Sequence, residues 1–225
     1  MSPRTCSARL PRARAAALAL TATVALAALL AGCGASNANA PSSSSSQPAS
    51  SGEGETGFAG AALPGHVPAP VFTLRDQHGR PVSLREYRGR VVVLAFLYST
   101  CGATCVVIAQ QIRGALGELE ERHAPAPAVL IVSANPAADT PTSVERFLAE
   151  VSLTGRVEYL TGTPAQLQPI WRAYGVHPAS SGRSALDEYA SLLLLDRRGA
   201  KRVLFQSEQL TPEGISHDID TLAAR

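Results

Sequence analysis

The stretch RVVVLAFLYSTCGATCVVIAQQ, Arg90 to Gln111, decides how this chain folds. Arg90 to Tyr98 is a continuous apolar run rich in β-formers, the pattern of a strand covered on both faces. Two cysteines, Cys101 and Cys105, follow with three residues between them. From Ala103 to Glu121 apolar residues recur at helical spacing, at Val107, Ile108, Ile112, Leu116 and Leu119. Strand, thiols and helix in that order place two sulfurs at the carboxyl end of a strand, where α/β folds build their sites.

Thiols in that position have chemistry. The N-terminus of a helix presents unsatisfied N–H groups and roughly half a positive charge, which favours the thiolate. Thiolates are the nucleophiles of disulfide exchange and the ligands of soft metal ions. The pair is therefore a redox couple, two legs of a metal site, or a structural staple. A staple is the weakest of the three, because cross-linking so short a loop removes little chain entropy.

The remaining segments surround this centre with regular structure. APVFTLRDQHGRPVSL reads as an N-terminal β-hairpin turning at Asp76–Gly79, and Ala128 to Ala134 as a second buried strand. Helices are expected over Thr142–Val151 and Ala165–Tyr174, with the extended segment RVEYLTG between them. The strand SLLLLD, a turn at Arg197–Gly199, the strand KRVLFQ and a helix over Pro212–Ala224 complete the chain. Thr140, Thr163 and Thr211 each precede a proline at a helix start, a capping threonine before a residue with no N–H to leave orphaned. Gln166 completes a capping-box spacing with Thr163. The order predicts an α/β fold, a central mixed β-sheet with helices on both faces, in the thioredoxin-like arrangement.

The other two cysteines, Cys6 and Cys33, belong to a different part of the chain. Residues 1–32 carry four arginines and no acid, then an apolar run from Ala15 to Leu30 that is shorter than the roughly 20 residues a bilayer span needs. The run ends in LAGC, Leu30 to Cys33, which resembles the lipobox of bacterial lipoproteins. That resemblance implies cleavage before Cys33, loss of Cys6 with the signal peptide, and lipidation of Cys33. The expected location is the outer face of the cell membrane. Residues 33–62, rich in Ser, Gly and Ala, read as a tether, and 63–225 as one domain. Without the signal peptide the formal charge of +2 becomes −2, and no basic stripe remains in the sequence, so no nucleic acid partner is expected. Nineteen arginines stand against the single Lys201, read here as composition rather than chemistry.

At this point several motifs converge. STCGATC after a buried strand, IVSANPAADTP (Ile131 to Pro141), YLTGTPAQLQPIWRAYGV (Tyr159 to Val176) and LLLLDRRG together resemble the Sco/SenC family over about residues 67–224. The resemblance implies a thioredoxin fold and a membrane-anchored, exported protein. Copper, as Cu(I) or Cu(II), is the implied cofactor, held by Cys101 and Cys105. The implied partners are a copper donor or thiol reductant and the Cu(A) site of cytochrome c oxidase subunit II. STCGAT also resembles the peroxidatic segment of glutathione peroxidases, but the other segments of that site are absent. A thioredoxin-type or TlpA-type reductase would carry Cys-x2-Cys and a proline before the later strand, where this chain has EYAS.

One departure bears on the metal. The family's third copper ligand is a histidine just before the strand that ends in Asp196, and counting back places Glu188 there. Carboxylate is a hard ligand, poorly matched to Cu(I). His177, which opens the loop leading to Glu188, is the one histidine placed to substitute. A pair that has lost its third ligand can still exchange disulfides.

Overall fold

The computed structural model describes residues 57–64, 67–177 and 191–225. Among them the elements run β1 (Ala61–Ala62), β2 (Thr73–Arg75), β3 (Pro81–Ser83), β4 (Val92–Leu97), α1 (Ala103–Glu121) and β5 (Ala128–Ser133). There follow α2 (Pro141–Glu150), β6 (Glu158–Leu160), α3 (Pro164–Tyr174), β7 (Ser191–Leu195), β8 (Lys201–Gln206) and α4 (Pro212–Ala223).

Alternation along β4 explains the architecture. All six of its residues are buried. Val93, Ala95 and Leu97 enter one hydrophobic cluster, and Val92, Leu94 and Phe96 enter the other. Each face must then be covered by apolar elements. On the first face lie Ile108, Ile112 and Leu119 of α1, Phe147 of α2 and Ile219 of α4. On the second lie Leu167 and Trp171 of α3, with Phe72 and Leu74 of the hairpin region. The sheet order is β1-β8-β7-β4-β5-β6, with β4, β5 and β6 parallel and β1, β7 and β8 antiparallel. This is the mixed sheet with helices on both faces that the sequence predicts.

The three threonine caps form as expected. Thr140, Thr163 and Thr211 accept from the backbone N–H groups of Ser143, Gln166 and Gly214, and Thr163 with Gln166 closes the capping box.

The expected N-terminal hairpin forms as the separate two-stranded sheet β2–β3, laid on the second face. Two details differ from the sequence reading. Val107 is 47% exposed, and the buried stripe of α1 runs instead through Cys105, Ile108, Ile112 and Leu119. Val107 differs because a helical stripe of this width has room for one of two adjacent apolar residues, and Ile108 takes it.

The second difference concerns the segment read as tether. Phe58 is buried, and Ala61 and Ala62 pair with Leu204 and Val203 as the edge strand β1. The buried Asp218 of α4 accepts from the N–H groups of Ala59 at 2.8 Å and Gly60 at 2.9 Å. Burial pushes the Asp218 carboxyl above its ordinary value, and the two N–H donors and His217 pull against that shift. Both hydrophobic clusters consist of residues from Phe58 onward, and residues 49–225 form one compact unit with its own core.

Asp218→Ala leaves two backbone donors without acceptors and should cost about 2–4 kcal/mol in urea unfolding. Amide exchange should accelerate first at Ala59 and Gly60.

Candidate functional site

Cys101 and Cys105 meet where β4 hands over to α1. The two sulfurs form a disulfide, with the Cα atoms 5.8 Å apart. Gly102 caps α1 at φ +79°, ψ −148°, a conformation that strains any residue with a side chain. It turns the chain so that Cys101 stays outside the helix and Cys105 falls in the first turn. Cys105 is 1% exposed within the first hydrophobic cluster, and Cys101 is half-buried at its edge. Cys101 is therefore the sulfur that a partner can reach. No acidic residue occupies the first turn of α1, so nothing there offsets the positive helix end that favours a thiolate.

A buried carboxylate holds the loop before the cysteines. Asp139 is 7% exposed and receives three hydrogen bonds. The N–H of Ser99, two residues before Cys101, donates to Oδ1 at 2.7 Å. The hydroxyls of Ser133 and Tyr159 donate to Oδ2 at 2.6 and 2.9 Å. Ser99 Oγ adds contacts to the Ala138 carbonyl at 3.3 Å and to Ser143 Oγ at 3.0 Å. Burial, then the charge of Asp139 and its hydrogen bond, raise the Tyr159 hydroxyl well above a tyrosine's ordinary value. It remains a donor at every working pH. The ends of β4, β5 and β6 are thus tied to the loop between β5 and α2 through one side chain. Sequence reasoning assigned Asp139, Ser133, Tyr159 and Ser99 no role. All four lie in motifs already quoted, which is the only signal the sequence carries for them.

The other expected residues divide into two groups. His177 lies two residues beyond Gly175, the left-handed C-cap of α3, and is exposed. Val176 packs against both hydrophobic clusters, and the Trp171 indole donates to the Ser133 carbonyl at 2.9 Å. The His177 segment therefore leaves from the same end of the sheet as the cysteines. Among the described residues no three His, Cys, Asp or Glu side chains form a group that could hold a metal, so His177 does not join the sulfurs in such a group here. Glu188, Cys33 and Cys6 lie outside the described residues. His217 sits 3.2 Å from the Gly57 carbonyl, and Trp171 is a buried packing residue. Among the described residues, no helix is long and apolar enough to cross a membrane.

Fold and site together define a thioredoxin-like protein with a Cys-x3-Cys disulfide at the strand–helix junction. The chain matches the SCO1/SenC family model over residues 64–224 and belongs to that family. A Stutzerimonas stutzeri protein whose name proposes it as copper-binding is 28% identical over 116 residues, 51% of this chain and 55% of that protein. The match thus spans about half of that relative's length. Among solved structures, BsSco, described as a Sco-family cytochrome c oxidase assembly protein with a disulfide switch, aligns with a TM-score of 0.62 at 19% identity, covering 71% of this chain and 95% of that one. Copper-bound ScoI of Arabidopsis thaliana aligns with a TM-score of 0.60 at 16% identity, covering 69% and 98%. At these identities the structural likeness speaks for the fold.

Asp139→Ala orphans three donors in one buried place and should cost about 3–5 kcal/mol of stability. Tyr159→Phe removes one bond and leaves the other two in place, and should cost about 1–2 kcal/mol. Urea titration orders the two variants, and alkylation of Cys101 after reduction should be faster in Asp139→Ala.

Proposed function

We propose that this chain handles copper in the assembly of cytochrome c oxidase, binding Cu(I) through Cys101 and Cys105 once their disulfide is reduced. The observation that carries the reading is the Cys-x3-Cys pair at the β4–α1 junction of a chain that belongs to the SCO1/SenC family. The donor set supports Cu(I) in particular. Two thiolates are soft ligands, and a monovalent ion accepts two-coordination. In the disulfide neither sulfur is a thiolate, so loading first takes two electrons and two protons from a thiol reductant. Cys101, the more exposed sulfur, is the one a reductant attacks and the one that meets an acceptor. The cargo is then passed to the Cu(A) site of subunit II. The domain works from the outer face of the membrane, anchored through a lipid on Cys33.

A second reading rests on the sequence count. Counting back from Asp196 puts Glu188 at the place of the family's third ligand, and a pair short of that ligand retains disulfide exchange. In that reading the reduced pair keeps the Cu(A) cysteines reduced: Cys101 attacks their disulfide, Cys105 resolves the mixed disulfide, and the chain leaves oxidised.

Titration of the reduced protein with Cu(I) against a competing chelator separates the two. The copper reading expects one Cu(I) per chain, lost in Cys101→Ser and in Cys105→Ser. If the reduced wild type does not retain Cu(I) yet reduces a disulfide in a peptide copying the Cu(A) loop, the exchange reading stands alone. Glu188→His should strengthen Cu(II) binding and bring on thiolate-to-copper absorption. An unchanged spectrum would place the third ligand elsewhere. In cells, Cys33→Ser should release the domain from the membrane fraction.

A further inference from the structure

We propose that the pole of the domain opposite the cysteines is a docking face for anionic phospholipid headgroups. It is built from Arg88, Arg197, Arg198, Arg202 and Arg225. These five arginines line one cavity of about 440 Å³, in which Asp196 is the only acidic side chain among the described residues. That carboxylate is already engaged. It accepts from the N–H groups of Arg198 and Ala200, each at 2.9 Å, and pairs with Arg202 at 3.3 Å. Arg88, Arg197, Arg198 and Arg202 thus share one side-chain carboxylate in this lining. Arg202 Nε is buried and has no hydrogen-bond acceptor. The Arg88 guanidinium lies so close over Gly199 that a Cβ there would stand 2.9 Å from its Cζ. The acids nearby on α1 and α4, Glu118, Glu120 and Asp220, bridge Arg122 and Arg156 and do not neutralise the cavity.

Position in the fold selects the occupant. Arg88 precedes β4, and Arg197 and Arg198 sit in the turn after β7, which runs antiparallel to β4. The arginines therefore mark the amino end of β4 and the cysteines its carboxyl end, roughly 20 Å apart along a strand of six residues. Arg225 also stacks on Phe58, 4.7 Å from the ring centroid, where the N-terminal region joins the domain. A lipid on Cys33 keeps the domain at a bilayer surface, where headgroup phosphates are the abundant anions, and the proposal rests on that reading of the anchor. Guanidinium groups match phosphate by charge and by paired N–H geometry. The cavity lining has no aromatic side chain on which a base could stack, which disfavours nucleic acid. Docked this way, the domain turns its cysteine end away from the bilayer.

The test uses residues 49–225, which carry their own core, in co-sedimentation with vesicles. Binding is expected to vesicles of equimolar phosphatidylglycerol and phosphatidylcholine, to fall with salt, and to be absent with phosphatidylcholine alone. Arg88→Glu/Arg198→Glu should weaken it by about tenfold or more. Arg88→Gln/Arg198→Gln, which only neutralises, should weaken it in the same direction by less. Equal binding to both vesicles, no binding to the anionic ones at low salt, or undiminished binding by both variants overturns the proposal. Inorganic phosphate at matched ionic strength should displace no better than chloride. If it displaces strongly, the cavity is a site for free phosphate and the lipid assignment fails. Cu(I) retention by the reduced Arg88→Glu/Arg198→Glu protein is read separately, so loss of vesicle binding with copper retained leaves the proposed function standing.

Discussion

The fold depends on β4 having no polar face. Its side chains divide between two hydrophobic clusters, three to each, and the strand has no solvent-facing side to offer. A strand of this kind must lie inside a sheet with helices above and below. Its parallel neighbour β5 can then be reached only through a crossover, here α1. The junction between β4 and α1 is consequently pinned at both ends by burial while its middle stays at the surface. A cysteine on each side of Gly102 inherits that arrangement, one sulfur at the edge of the core and one inside it.

Asp139 adds what burial alone does not supply. Hydrophobic clusters place the end of β4, but they do not fix the path of the four residues leading from Leu97 to Cys101. The Ser99 N–H bonded to Asp139 does, and Ser133 and Tyr159 anchor the carboxylate in turn. Three donors converging on one buried carboxylate satisfy its acceptor oxygens, so its burial leaves no polar atom orphaned. Deleting any one donor weakens the arrangement, whereas deleting the carboxylate dismantles it.

The parts legible in the sequence are those with a local or periodic cause. Continuous apolar runs announce β4, β5 and β7, and Thr-Pro pairs announce α2, α3 and α4 to within one residue. The two cysteines announce the site. What escaped depends on contacts between distant segments. Phe58 to Ala62 look like more of a Ser/Gly/Ala tether until Asp218, about 160 positions later, supplies acceptors for their backbone. Asp139 looks like one more residue before a capped helix, since its three donors come from three other segments. The arginine pole was invisible for the same reason. Arg88, Arg197, Arg198, Arg202 and Arg225 form no stripe along the chain, and net charge averages them away. Only the antiparallel pairing of β7 with β4 brings them to one end.

That same pairing separates two kinds of chemistry along one strand. Thiolate reactivity needs a partner to approach Cys101 closely, and concentrated positive charge beside it would draw anions onto the sulfur it must present. Placing the arginines at the amino end of β4 leaves the helix dipole of α1 as the local field at the cysteines. That field acts within the first turn and fades beyond it. Guanidinium groups a strand's length away are largely screened at physiological salt, where the Debye length is about 8 Å. The two poles therefore act without disturbing each other's electrostatics. What couples them is geometric, because whichever surface holds one end of β4 sets the direction in which the sulfurs at the other end face.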